Sequence, residues 1–217
     1  MYKACIFDLD GTLTDTLESL TYSVNATLTE LGLPCITSEQ CRAFVGNGAR
    51  FLIERALQAS GDENLTHIEK AMEVYGRIFK EYCTYKVKPY DGIVEMLKEL
   101  KNQGVKLAVL SNKPHLQTVD VVSTFFGEDT FTYAQGQMEG VPRKPDPTAA
   151  LMIAEKLLVE KEECVYIGDS EVDMKTASAA GMTSVGVTWG FRSEEVLLES
   201  GAAHTINHPE ELLSIVK

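Results

Sequence analysis

No stretch of this sequence is apolar for anything near the roughly 20 residues that a bilayer-spanning helix needs, so no membrane is expected as a partner. The opening MYKACIFDLD reaches its first aspartate too soon for a secretory signal. Positive charge is scarce. Lys and Arg number 20 against 32 Asp and Glu, for a formal charge of -12, and a mean field of that sign repels nucleic acid and anionic lipid alike. It does not forbid an anionic substrate, because one metal ion and one lysine reverse the field locally. Cysteine is also thin. Five residues, an odd number without paired spacing, point to reduced thiols and a cytoplasmic address. Cys5 and Cys164 fall inside apolar runs, where packing accounts for them. Internal repeats and low-complexity segments are missing too.

What is present is an alternation. Short β-rich runs occur at 3–9 (KACIFDL), 105–111, 130–135, 164–169 and 183–189, with a weaker one at 204–207. Several are apolar almost throughout, as strands covered on both faces are. Amphipathic stretches at Gly92–Lys101, His115–Phe126, Thr148–Leu158 and Glu171–Ala180 lie between them. Gly104, Gly127, Gly181 and Gly201 stand at expected helix stops. This order predicts an α/β, Rossmann-like parallel sheet with helices on both faces.

One block breaks the pattern. Residues 15 to about 85 hold no convincing strand, while Leu17, Leu20, Val24, Leu28 and Leu31 mark one helical face. Thr37-Ser-Glu-Gln40 and Thr66-His-Ile-Glu69 have the form of capping boxes. The block is expected to be an all-helical cap inserted after the first strand. The core would then comprise 1–14 and 86–217 and the cap 15–85, with linkers near Gly11–Asp15 and Tyr85–Pro89.

Ligands of open parallel sheets bind outside the carboxyl ends of the strands. Asp8 and Asp10 end the first strand, Ser111 and Asn112 the second; Lys144 follows the third, and Asp169 ends the fourth with Asp173 a turn later. Carboxylates from two strands suit Mg²⁺, a hard ion that keeps waters and takes a phosphate oxygen. A hydroxyl, backbone N–H groups and Lys144 can hold the other phosphoryl oxygens. One aspartate could attack phosphorus; the second, two residues on, could protonate the leaving oxygen and then activate water.

DLDGTLTDT, VLSNKP, RKPDP and IGDSEVD resemble, in order, the four motifs of the haloacid dehalogenase-like hydrolase superfamily. The resemblance spans the chain, with an α-helical cap after the first motif. It implies Asp8 as nucleophile, Asp10 as general acid/base, and Ser111 and Lys144 as phosphate binders, with Lys144 steadying Asp8. Mg²⁺ would be held by Asp8, Asp169 and the backbone carbonyl of Asp10. Asp173 would be support or an additional metal contact. Asn112 and Gly11 would offer backbone or side-chain groups to phosphate.

Residues 44–57, FVGNGARFLIERAL, resemble the cap segment of phosphoglycolate phosphatases in that superfamily. Free N–H groups at the Gly46-Asn47-Gly48 turn, with Arg50, could face an anion; Arg55, deeper in the same helix, suits packing or an ion pair. The implied function is a Mg²⁺-dependent phosphatase of a small phosphorylated metabolite, such as 2-phosphoglycolate, working through an aspartyl-phosphate as a monomer or homodimer. A β-phosphoglucomutase-like isomerase, a pyrophosphatase or nucleotide phosphatase, and a phosphoaccepting signalling module are the alternatives. Haloacid dehalogenation itself has no need of Asp10.

Overall fold

A computed structural model describes all residues, 1–217. Its elements in chain order are β1 (Ala4–Phe7), β2 (Thr14–Asp15), α1 (Leu17–Glu30), α2 (Ser38–Phe44), α3 (Ala49–Ala59), α4 (Ile68–Tyr82), β3 (Lys88–Pro89), α5 (Ile93–Asn102), β4 (Lys106–Pro114), α6 (His115–Phe126), β5 (Tyr133–Gln137), α7 (Thr148–Leu157), β6 (Cys164–Gly168), α8 (Glu171–Ala180), β7 (Thr183–Val187), α9 (Glu194–Glu199), β8 (His204–Ile206) and α10 (Leu212–Val216). The large sheet has the order β5-β4-β1-β6-β7-β8, and every neighbouring pair is parallel.

The apolar strand runs are explained by two separate cores. Cys5, Phe7, Leu107, Val109, Val165 and Ile167 face one side, where Ile93, Leu97 and Leu100 of α5, Val121 of α6 and Leu212 of α10 meet them. Ala4, Ile6, Ala108, Leu110, Cys164 and Tyr166 face the other, against Ala150, Ile153 and Leu157 of α7 and Ala177 of α8. Period-two alternation thus serves two cores at once. A fully buried side chain of this size contributes roughly 1.5–3 kcal/mol. The five cysteines are free, and Cys5 and Cys164 are buried in these layers. No helix is long and apolar enough to cross a membrane.

Helices α1 to α4 pack around a core of their own, in which Leu20, Val24 and Leu28 of α1 meet Leu52, Ile53 and Leu57 of α3 and Tyr75 and Phe79 of α4. Leu17 and Leu31, at the ends of the expected face, are only half-buried. At α2 the expected capping box is formed: Thr37 Oγ1 accepts from Gln40 N–H at 3.2 Å, and Gln40 Oε1 accepts from Thr37 N–H at 2.9 Å. At α4 it is not. Asp62 takes that place, its carboxylate accepting from the N–H groups of Thr66 and His67, each at 2.9 Å, and from Thr66 Oγ1 at 2.8 Å. An ionised acceptor competes better for helix-end N–H groups than a hydroxyl does.

The connections to the helical layer lie side by side. β2 and β3 form a small antiparallel ribbon, with Thr14 opposite Pro89 and Asp15 opposite Lys88. The chain therefore leaves and re-enters the sheet at one point, beside the carboxyl end of β1.

Candidate active site

The register of the sheet assembles the site. Phe7 lies opposite Val109 on one side and Ile167 on the other. The residues just beyond, Asp8, Ser111 and Asp169, therefore emerge at one edge. Asp8, Asp10, Ser111, Lys144 and Asp169 line one crevice, which Leu20, Leu52, Tyr75 and Phe79 of the helical layer close from above.

Asp8 is 8% exposed. Lys144 Nζ lies 2.9 Å from its Oδ1, yet the ammonium aims its hydrogen bonds at Asp173 Oδ1 (2.7 Å) and the Leu110 carbonyl (3.2 Å). Asp8 Oδ1 thus has a charge beside it but receives no hydrogen bond. Burial pushes the Asp8 carboxyl up to about 7; Lys144 pulls it down, and Asp173 and Asp10 add to the rise. Lys144 is itself buried, which opposes its charge, but Asp173 and Asp8 outweigh this and hold its pKa well above the usual lysine value.

Asp169 is also enclosed. Its Oδ2 accepts from Phe191 N–H at 2.7 Å and its Oδ1 from Thr12 Oγ1 at 3.3 Å. Burial raises its pKa well above the carboxylate range, with Asp173 and Asp8 adding to it. It sits between two glycines. A Cβ on Gly11 would come within 2.4 Å of Asp169 Oδ2, and one on Gly190 within 2.3 Å of Asp169 Cβ.

Carboxylate oxygens of Asp8, Asp169 and Asp173 lie within 4.8 Å of one another. Buried acids crowded this way, one of them with an unsatisfied oxygen, suit a divalent cation, whose charge removes both the repulsion and the desolvation cost. Asp173 is already committed. Its Oδ1 accepts from Lys144 and its Oδ2 from Ser170 Oγ at 2.6 Å, which places it as the buttress of Lys144.

Three expectations change in detail, those for Arg50, Asn112 and Gly11, while Arg55 packs as expected. Arg50 does not reach the crevice. The buried face of α3 is Leu52, Ile53, Ala56 and Leu57, which turns Arg50 outward to Glu54 (3.1 Å) and Glu69 (2.8 Å). Arg55 stacks over Phe51, 4.9 Å from the ring centre. The Asn112 side chain is a fastener: Nδ2 donates to the carbonyls of Gly46 and Lys144, both at 3.0 Å, and Oδ1 accepts from Lys144 N–H at 2.9 Å. Gly11 donates its N–H to the Thr14 carbonyl at 2.9 Å, so its value to the site is the space it leaves for Asp169, not a bond to phosphate.

The profile described as haloacid dehalogenase-like hydrolase matches residues 5–187. The chain belongs to the haloacid dehalogenase-like hydrolases. It is 33% identical over 221 residues to a phosphoglycolate phosphatase of Colwellia psychrerythraea, covering 99% of this chain and 97% of that protein. It is 31% identical over 213 residues to phosphoglycolate phosphatase 1 of Pseudomonas aeruginosa, covering 97% of this chain and 78% of the relative. Among solved structures, an inferred phosphoglycolate phosphatase from Lactobacillus delbrueckii subsp. bulgaricus superposes with a TM-score of 0.91 at 34% identity, over 99% of this chain and 98% of that one.

Two crevice residues of this haloacid dehalogenase-like chain have no role in the reading of its sequence, although Lys113 lies inside the VLSNKP motif. Lys113 is 4% exposed, and its Nζ contacts Asp10 Oδ1 at 2.9 Å. The signal was available: a strand that continues past Ser111 returns to the same face two residues later. Arg192 had no local signal. It follows β7 in a loop, and only the fold brings it against Glu171 (3.0 Å) and the carbonyl of Val45 (2.8 Å).

Proposed function

We propose that this chain is a Mg²⁺-dependent phosphatase that hydrolyses 2-phosphoglycolate through a phosphorylated Asp8. The observation that carries the reading is the pairing of Asp8 with Asp10. One is a buried carboxylate whose unbonded oxygen faces the crevice beside Lys144; the other stands two residues on, against a different lysine. Two acids in different surroundings suit two roles. The substrate follows from the relatives' phosphoglycolate phosphatase activity at 31–33% identity over nearly the whole chain.

Asp8 and Asp169, with the backbone carbonyl of Asp10, would hold Mg²⁺, which when bound neutralises the approaching phosphate and keeps both carboxylates ionised. Lys144, held by Asp173, and Ser111 grip the phosphoryl oxygens. Asp8 attacks phosphorus and the bond from phosphorus to the ester oxygen breaks, while Asp10 gives that oxygen its proton. Asp10 then takes a proton from water, whose oxygen attacks the acyl phosphate. Inorganic phosphate leaves and the Asp8 carboxylate returns. We read 15–85 as the cap that keeps bulk solvent from the crevice during phosphoryl transfer, and 1–14 with 86–217 as the core that performs the chemistry.

A panel of phosphorylated metabolites, assayed for phosphate release with Mg²⁺ and with EDTA, tests the reading. Phosphoglycolate should be hydrolysed only with Mg²⁺, and Asp8→Asn should lose at least about 10³-fold in kcat. Turnover by Asp8→Asn within tenfold of wild type would sink the nucleophile. Interconversion of sugar phosphates without phosphate release would replace the phosphatase by a mutase.

A further inference from the structure

We propose that Lys113 binds the carboxylate of the substrate, next to the phosphoester oxygen. The inference rests on the phosphatase reading above and names the residue that selects within it. Lys113 extends from the end of β4 into the crevice, its side chain 1% exposed, and meets Asp10 Oδ1 at 2.9 Å. On its other flank lies Phe79 of α4, with Nζ 4.7 Å from the ring centre. An ammonium carries three donors. Asp10 takes one, and no other protein acceptor receives a hydrogen bond from Nζ. A desolvated ammonium with open donors in a crevice calls for an acceptor that comes and goes with the ligand.

The other cations of the crevice are committed elsewhere. Lys144 is held on the phosphoryl side, its hydrogen bonds going to Asp173 and the Leu110 carbonyl and its charge standing beside Asp8. Arg192 donates Nε to Glu171, Nη1 to the Arg42 carbonyl and Nη2 to the Val45 carbonyl. Arg50, the cap cation expected for this purpose, faces away from the crevice.

Position gives the open donors their target. Lys144 stands by Asp8, on the phosphoryl side, and Lys113 stands by Asp10. Asp10 serves the leaving oxygen, so Lys113 meets whatever group is attached to that oxygen. In a 2-phosphoester of a short acid, that group is a carboxylate one methylene away. Phe79 and Leu52 line the same crevice and offer no polar partner to the hydroxyls of a sugar on that side.

The test compares 2-phosphoglycolate with ethyl phosphate, which replaces the carboxylate by a methyl group. Wild type should favour phosphoglycolate by at least tenfold in kcat/KM. Lys113→Met keeps the stem against Phe79 and removes the charge. Hydrolysis of both substrates should slow, because Asp10 loses its neighbour, but the ratio of the two kcat/KM values should fall by about 10- to 100-fold. Lys113→Arg should retain part of the ratio. An unchanged ratio in a folded Lys113→Met would overturn the inference and make Lys113 a positioning residue for Asp10 alone. Equal hydrolysis of both esters by wild type would overturn it whether or not the variant folds, leaving the phosphatase standing. Hydrolysis of neither ester would instead remove the phosphatase reading, and this inference with it.

Discussion

Arg192 Nη2 donates a hydrogen bond to the backbone carbonyl of Val45, 2.8 Å away, from the loop after β7 to the helical layer. It is one of a row. The next carbonyl, Gly46, receives Asn112 Nδ2 at 3.0 Å, and the next, Asn47, receives Arg143 Nη1 at 3.1 Å. Three successive carbonyls of the helical layer are thus fastened by one side chain of the sheet and two of its loops. Arg192→Ala should loosen the fastening. Hydrogen exchange at residues 44–49 should speed up, and kcat/KM on phosphoglycolate should fall by about tenfold, as expected for losing a charged hydrogen bond of roughly 1.5–3 kcal/mol. Unchanged exchange in that segment would mean the row is incidental.

Gly11 has φ of +85° and stands where a Cβ would press on the Asp169 carboxylate. Gly11→Ala should pay about 1 to 2 kcal/mol for the left-handed backbone and displace Asp169 as well. The Mg²⁺ concentration for half-maximal phosphate release should rise roughly 10- to 100-fold, the usual effect of disturbing a ligand's support. A Mg²⁺ titration like that of wild type would show that Asp169 does not hold the ion.

Asp8, raised to about 7 by burial, and Asp169, also raised by burial, bind protons more tightly folded than unfolded. Stability falls with pH wherever the native state holds the extra protons. For Asp8 this window runs from the unfolded carboxylate value near 4 up to about 7. The metal-free protein should therefore melt lower at pH 8 than at pH 5, by about 3 °C or more. Mg²⁺ should stabilise it more at pH 8 than at pH 5, where it has to displace protons. Calorimetry in EDTA and in Mg²⁺ at the two pH values gives the answer, and a Mg²⁺ effect larger at pH 5 would contradict it.

Arg50 pairs only with Glu54 and Glu69 on the outer surface. Arg50→Ala should leave kcat/KM on phosphoglycolate within about twofold, since exposed ion pairs contribute little. A selective loss of tenfold or more on that substrate would return the carboxylate-reading role to the cap.

What could be read in the sequence was whatever depends on neighbours along the chain. Helices α6 and α8 begin and end where their patterning and glycine stops predict, and each large-sheet strand has its ends within three residues of those of its apolar run. β2 and β3 were not legible, because each is two residues long and exists through its pairing with the other. Arg50 was misread for a related reason. The turn before it has the look of an anion site, but the direction of its side chain was set by which face of α3 the core had taken. Lys113 needed only the knowledge that β4 runs on through Pro114.

β1 is the first strand made and the middle strand of the core, and both of its partners come late: Ala4 waits for Lys106 on one side and for Cys164 on the other. At synthesis rates of roughly 5 to 20 residues per second, the second partner arrives on the order of ten to thirty seconds after the first strand is complete. Until β4 is made Ala-Cys-Ile-Phe has no mate, and until β6 is made one of its two edges stays open. An open apolar edge of this kind is where mispairing begins, however stable the finished sheet.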